Sequence, residues 1–191
     1  MNESLKPTLW RTARALNNAD RLNLLRIVDQ AKGVCCVGKI ADEAGLPVPT
    51  ASNYLRALNA RGIISVVRSG PFVYYGTGSD RSLPVAVSIQ KAFRRLFSRP
   101  SLPSDWTKRL LPFIKAFSNV RREDIVRTIS KCQPIRYAEL RQRVGICETS
   151  FLRHLDILLS SGVVVHNTKD SAYCLAKPAN SLVAAFLAAL V

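Results

Sequence analysis

The stretch Ile40-Ala41-Asp42-Glu43-Ala44-Gly45-Leu46-Pro47-Val48-Pro49-Thr50-Ala51-Ser52-Asn53-Tyr54-Leu55-Arg56-Ala57-Leu58 decides the fold. Ile40 and Ala41 share the inward face of a short helix from Val37 to Glu43, and Gly45 permits the tight turn between two helices. A second helix follows from Pro49 to Arg61. Its inward positions are Ala51, Leu55 and Leu58, while Thr50, Ser52, Asn53 and Arg56 fall on its other faces. Outward hydroxyl, amide and guanidinium groups on the second of two helices predict a helix-turn-helix that reads base edges and phosphates. Upstream, Asp20 is placed to cap a scaffold helix with the apolar stripe Leu22, Leu25, Ile27 and Val28, ended by Lys32-Gly33. Downstream of Gly62, residues 63–68 and 72–75 are strand-like on either side of Ser69-Gly70-Pro71, so 63–76 is expected to form a hairpin, the wing.

The same pattern recurs. Gly45 and Gly145, Leu46 and Ile146, Leu55 and Leu155, Leu58 and Leu158, and Gly62 and Gly162 each stand one hundred positions apart. Shared leucines follow from helix periodicity alone; two glycines at one separation, bounding the same helix, mark a repeated supersecondary unit. The second unit reads as a scaffold helix from Glu123 to Lys131, a short helix from Tyr137 to Val144 and a second helix from Glu148 to Ser161. Val163 to Asn167 and Ala172 to Leu175 form its hairpin. Between the units lie Pro84, Pro100, Pro103 and Pro112, with Ser98-Arg99-Pro100-Ser101 as the clearest break. The expected division is therefore 1–98, a linker at 99–103, and 104–191. Leu9 to Leu16 and Trp106 to Phe117 would open the two units; Leu83 to Phe97 and Ser181 to Val191 would close them. The fold class is mainly α with small β-hairpin wings, in tandem winged helix-turn-helix domains.

Composition points to the partner. The 191 residues hold 28 Lys and Arg against 13 Asp and Glu, a net charge of +15 that attracts a polyanion. Nucleic acid leads, and with the helix-turn-helix pattern above the expected partner is double-stranded DNA. No apolar run reaches the roughly 18 residues of a membrane span, and the N-terminus has no signal-peptide core, so no membrane partner and a cytoplasmic, nucleoid-associated location are expected. Five cysteines, Cys35, Cys36, Cys132, Cys147 and Cys174, show neither zinc-ribbon nor disulfide spacing. Gly-rich phosphate loop, metal-ligand cluster and nucleophile elbow are all lacking, and the two histidines form no triad by spacing, so no enzyme is expected.

Ala15-Leu16 followed by Asn18-Ala19-Asp20-Arg21-Leu22, then Ile40 to Leu46, Thr50 to Leu55 and Tyr74-Tyr75 together resemble the ArsR-type winged-helix repressors. The first unit matches almost throughout. In the second, Leu152 replaces the serine of the recognition helix, while Arg153-His154-Leu155 fits. The resemblance implies helices with a two-stranded wing, dimeric assembly through the first and last helices, and operator binding that represses transcription. Metal-responsive members carry a cysteine-x-cysteine pair, which would fall here on Cys36 and Gly38; Leu83 to Phe97 also holds no His or carboxylate. No metal or other cofactor is expected. Cys35 and Cys36 are read as small buried hydrophobes, with redox sensing as the alternative.

The expected DNA-contacting set is Thr50, Ser52, Asn53, Arg56 and Arg68 in the first unit and Thr149, Ser150, Arg153 and His154 in the second. Asn53 and Arg56 lead as base readers. Thr50 and Ser52 serve equally as caps after Pro49 or as direct contacts, and Arg68 belongs at the minor groove or its backbone. Tyr54 is expected against the scaffold with its hydroxyl free for a phosphate; His154 takes the same place as a packed or phosphate-facing residue rather than a catalyst or ligand. The apolar last helix needs a partner surface. One arrangement packs it on Leu83 to Phe97 as a pseudo-dimer within one chain; the rival is a homodimer through the first unit. The functional rival is a winged-helix architectural, protein-binding or RNA-binding module without operator recognition.

Overall fold

The computed structural model describes residues 8–31, 33–178 and 180–190. Helix α1 (Leu9–Leu16) leads into α2 (Ala19–Gln30), which begins where the Asn18 side chain accepts a hydrogen bond from the Arg21 N–H at 2.9 Å. Asn18, in extended backbone, thus takes the capping role expected of Asp20. Asp20 sits inside the first turn, where its carboxylate favours the helix dipole. Lys32 and Val191, read from the sequence as helix ends, lie outside the described residues.

Strand β1 (Val34–Cys36), α3 (Val37–Ala44), α4 (Val48–Asn59), β2 (Ser65–Ser69), β3 (Phe72–Gly76) and α5 (Pro84–Phe97) complete the first copy. At the α3–α4 turn Gly45 has φ +64°, and the Leu46 N–H closes on the Ala41 carbonyl at 3.0 Å, so α4 leaves α3 almost at once. Helix α4 starts one residue before the expected Pro49 and stops two before Arg61. It ends early because Asn59 Nδ2 donates to the Ile64 carbonyl at 2.9 Å and Gly62 reverses the chain with φ +68°. Ile63 and Ile64 consequently plug the core instead of extending the wing. The wing also has a third strand. Cys35 lies opposite Tyr75 and Cys36 opposite Tyr74, giving the antiparallel order β1-β3-β2. Three residues are too few for an alternation to show in sequence, and both cysteines are half-buried rather than enclosed.

The second copy repeats the order with α6 (Trp106–Phe117), α7 (Val120–Cys132), β4 (Ile135–Arg136), α8 (Tyr137–Val144), α9 (Glu148–Ser160), β5 (Val164–Asn167), β6 (Ala172–Leu175) and α10 (Ser181–Ala188). Asn119 caps α7 as Asn18 caps α2, Gly145 has φ +65°, and the sheet order is β4-β6-β5. The fold is a mainly helical tandem of winged helix-turn-helix units. Pro112, which the sequence places between the units, lies inside α6 with its ring exposed.

Across the seam α1 packs on α6, α5 packs on α10, and α2 also reaches α6. Phe97 meets Trp106 edge-on across it at 5.5 Å, and within the second copy Phe186 of α10 meets Phe113 at 5.5 Å and Phe117 at 5.3 Å. Burying such side chains stabilises by roughly 1.5–3 kcal/mol each, and one continuous core runs through both copies. Helix α10 is shorter than expected, since Ala189 and Leu190 form a turn, yet Leu182, Phe186 and Leu190 are all buried.

Candidate nucleic-acid interface

Helix α4 buries Ala51, Leu55 and Leu58 and leaves the opposite face to solvent. Asn53 and Arg56 are exposed there; Thr50 and Ser52 are half-buried near its start. Arg56 donates from Nη2 to Asn53 Oδ1 at 2.6 Å and from Nε to the Ser52 carbonyl at 3.4 Å. Those bonds hold an amide and a guanidinium side by side, in solvent, where another acceptor can exchange for either. On β2 Arg68 is exposed, paired in register with Val73. Tyr75, buried beneath helix and wing, has its hydroxyl pKa pushed up by burial and drawn back by the charges of Arg56 and Arg68, so both cations lie near one ring. Arg56 of the helix and Arg68 of the wing thus both act on the same buried tyrosine. From 48 to 76 the cations are Arg56, Arg61 and Arg68, with no acidic residue.

Behind that face, Tyr54 is held by the scaffold. The Arg21 guanidinium lies over its ring, 5.4 Å from the centroid, and burial lowers the Arg21 pKa. Sequence reasoning placed Tyr54 inward but missed Arg21. The available signal was an arginine three residues after each capping asparagine, Arg21 after Asn18 and Arg122 after Asn119.

In the second copy Thr149 and Arg153 are exposed on α9 and Ser150 is half-buried. His154 is 6% exposed and faces inward, with Nδ1 3.4 Å from Nη1 of Arg122. Because a guanidinium only donates, His154 Nδ1 must accept and the ring is neutral. Burial lowers its pKa, and the charges of Arg122, Arg153 and Arg121 lower it further. Arg122 itself donates to the carbonyls of Ala116 at 2.8 Å and Lys115 at 2.6 Å and to Ser118 Oγ at 3.2 Å. The other equivalents also differ. Leu152, 48% exposed, stands for Ser52, and Asp156 stands for Arg56. From 148 to 175 Arg153 and Lys169 are opposed by Glu148, Asp156 and Asp170.

At Cys35 burial, with neighbouring Cys36, raises the thiol pKa and disfavours the reactive thiolate.

Residues 18–66, spanning α2 to the start of the wing, match the arsR family of bacterial regulatory proteins. A 68-residue stretch is 34% identical to an uncharacterized HTH-type transcriptional regulator of Methanocaldococcus jannaschii, covering 36% of this chain and 75% of that protein. The chain belongs to the helix-turn-helix transcriptional regulators, with an arsR-family domain in its first copy. No solved structure matches the chain. The family match stops at the wing of the first copy. The second copy of this regulator is therefore known by its geometry: the repeated cap, the repeated left-handed glycine and the repeated sheet order.

Proposed function

We propose that the protein is a sequence-specific DNA-binding repressor that reads its operator through α4 and the first wing. One observation carries the reading: Asn53 and Arg56 are exposed, hydrogen-bonded neighbours on a helix whose whole 48–76 surround lacks a carboxylate. A helix of this kind fits the B-DNA major groove, where Asn is suited to adenine and Arg to guanine. Thr50 and Ser52 lie at the helix start within reach of the backbone, and Arg68 on the wing serves the neighbouring groove or its phosphates. In the second copy Thr149, Ser150 and Arg153 are the groups offered to DNA.

The reading extends to assembly. Residues 1–98 and 104–191 act as two reading units joined at 99–103, and the packing of α1 on α6 and α5 on α10 supports a pseudo-dimer within one chain. In this arrangement one chain supplies what two identical chains supply in a symmetric dimer, and the regulator works on the chromosome in the cytoplasm. The exposed Leu152 and the acidic surround of α9 favour a second role for that helix as a protein-docking face.

Selection of bound sequences from a random duplex library at physiological salt tests the proposal. The wild type should yield a motif that an Asn53→Ala, Arg56→Ala variant loses. Failure of the wild type to enrich any motif would remove sequence-specific reading and leave non-specific or architectural binding.

A further inference from the structure

We propose that Phe72, at the tip of the first wing, is an apolar wedge that enters the minor groove of the bound duplex, parts one base step and kinks the DNA there. The inference rests on the reading of DNA by α4 and the first wing. Among the described residues Phe72 is the most exposed of the large apolar side chains, at 60%. It opens β3 directly after the turn Gly70-Pro71 and stands opposite Ser69, the last pair of the hairpin. A Cβ on Gly70 would meet nothing within 4 Å, so the turn stands in open space. Pro71 stiffens that turn by fixing its own φ. The Phe72 ring rests on the half-buried Tyr74, with centroids 6.4 Å apart, which props it at the tip instead of letting it fold away.

Side chains alternate across a strand, so the register gives the wing two unlike faces. Val67 pairs with Tyr74, and Ser69 with Phe72, on one face; Val66 pairs with the buried Tyr75, and Arg68 with Val73, on the other. Arg68 thus stands next to the tip pair, on the opposite face from Phe72. A guanidinium and a ring so placed suit the minor groove, whose negative potential takes the cation while an apolar side chain set between base pairs unstacks them. Charge favours DNA over a protein as what covers the ring, since residues 48–76 hold three arginines and no carboxylate.

The second wing is built otherwise. Aligned through the pairs Cys35–Tyr75 and Ile135–Tyr173, Tyr74 answers to Ala172 and Phe72 to Asp170, and the pair Val67–Tyr74 becomes Asn167–Ala172. Asp170 accepts from Asn167 Nδ2 at 2.6 Å within its own turn, and the Lys169 N–H donates to Asn167 Oδ1 at 3.0 Å. One wing therefore ends in an aromatic ring and the other in a closed polar turn whose carboxylate phosphates repel. A wedge adds specificity without a hydrogen bond to any base. Pyrimidine–purine steps part most easily, so the operator should carry one at a fixed distance from the bases that α4 reads.

The full chain is tested as wild type, Phe72→Ala and Phe72→Leu, with circular dichroism confirming that each is folded. Binding is followed by fluorescence anisotropy, bending by energy transfer between labels at the duplex ends, and unstacking by permanganate, which attacks thymines that have lost their stacking. Each is measured on the selected operator and, at low salt, on a duplex of unrelated sequence. Wild type should bend the operator by about 20–90° and expose a thymine at one pyrimidine–purine step. Phe72→Leu should keep most of the bend; Phe72→Ala should still bind but lose both the bend and the reactive thymine. Wild-type complexes with straight DNA or no reactive thymine, or a bend that survives in Phe72→Ala, would overturn the wedge. So would a dimer mass in light scattering that Phe72→Ala abolishes while the DNA stays straight, since the ring would then belong to a contact with a second copy. The operator reading fails separately. If no motif can be selected, a bend of the unrelated duplex that depends on Phe72 still establishes the wedge, whereas failure to bind either duplex removes both.

Discussion

The two copies share a skeleton and differ at the surface it carries. Both have an asparagine-capped scaffold helix, a left-handed glycine between α3 and α4 or α8 and α9, and a three-stranded wing in the same order. Between α4 and α9, however, serine becomes Leu152, asparagine becomes Arg153, tyrosine becomes His154 and arginine becomes Asp156. Core positions are constrained by packing, where truncating a side chain costs several kcal/mol; outward positions are constrained by whatever they touch. Apart from the inward Tyr54 and His154, these changes lie in the outward set, and under the proposed function they predict two readers with unlike targets on one scaffold.

The largest expected effect separates the readers by affinity. On the selected operator, Asn53→Ala with Arg56→Ala removes two base pairings of about 1–3 kcal/mol each, a loss of roughly 30-fold to well over 1,000-fold in affinity. Asp156→Ala should leave affinity unchanged or raise it, because a carboxylate facing phosphates is repelled. Equal losses from the two helices, read by fluorescence anisotropy at fixed salt, would contradict the division of labour.

Next comes the shape of the operator. Unlike readers predict a selected motif without dyad symmetry, bound by one chain per site. Giving α9 the outward set of α4, with Leu152→Ser, Arg153→Asn and Asp156→Arg, should turn the second half of the motif towards an inverted copy of the first. A wild-type motif that is already an inverted repeat, bound by two chains, would show that the first copy dimerises between chains.

A smaller effect tests the shared skeleton. A Cβ at Gly45 or Gly145 meets nothing within 4 Å, so an alanine there is opposed by its positive φ alone. Gly45→Ala and Gly145→Ala should each cost about 1–2 kcal/mol in urea unfolding. A loss several times larger at one site would mean that the two turns carry different loads.

Much of this comparison was legible in the chain itself. The glycine pairs and leucine spacing located both helix-turn-helix units because periodicity and turn chemistry are local properties. The strands Val34–Cys36 and Ile135–Arg136 escaped, since they exist only through pairing with distant Tyr75 and Tyr173 and are too short to alternate. Asp20 drew attention away from Asn18 because both are good caps, and only backbone conformation shows which is the last non-helical residue. Among the site residues, the outward positions of α4 followed from helical phase. The inward turn of His154 follows from the Arg122 that meets it, an approach between residues far apart in sequence.

The smallest prediction concerns that inward histidine. Unfolded, His154 titrates near its ordinary pKa of about 6.5; folded, burial and the charges of Arg122, Arg153 and Arg121 hold its pKa lower. Above the ordinary value the ring is neutral in both states and nothing is lost. As pH falls below about 6.5 the unfolded chain takes up the proton first, so the folded state loses stability until pH passes the lowered folded pKa. His154→Gln keeps an acceptor for Arg122 and removes the titration. Thermal unfolding of wild type and variant at pH 7.5 and 5.0 should therefore show the wild type losing more on acidification, with the two differing least at the higher pH. The first copy has Tyr54 in place of this histidine, so the acid sensitivity that His154 brings belongs to the second copy. Parallel curves for the two proteins would mean that the folded His154 accepts its proton as readily as the unfolded one, and that its pairing with Arg122 does not hold in solution.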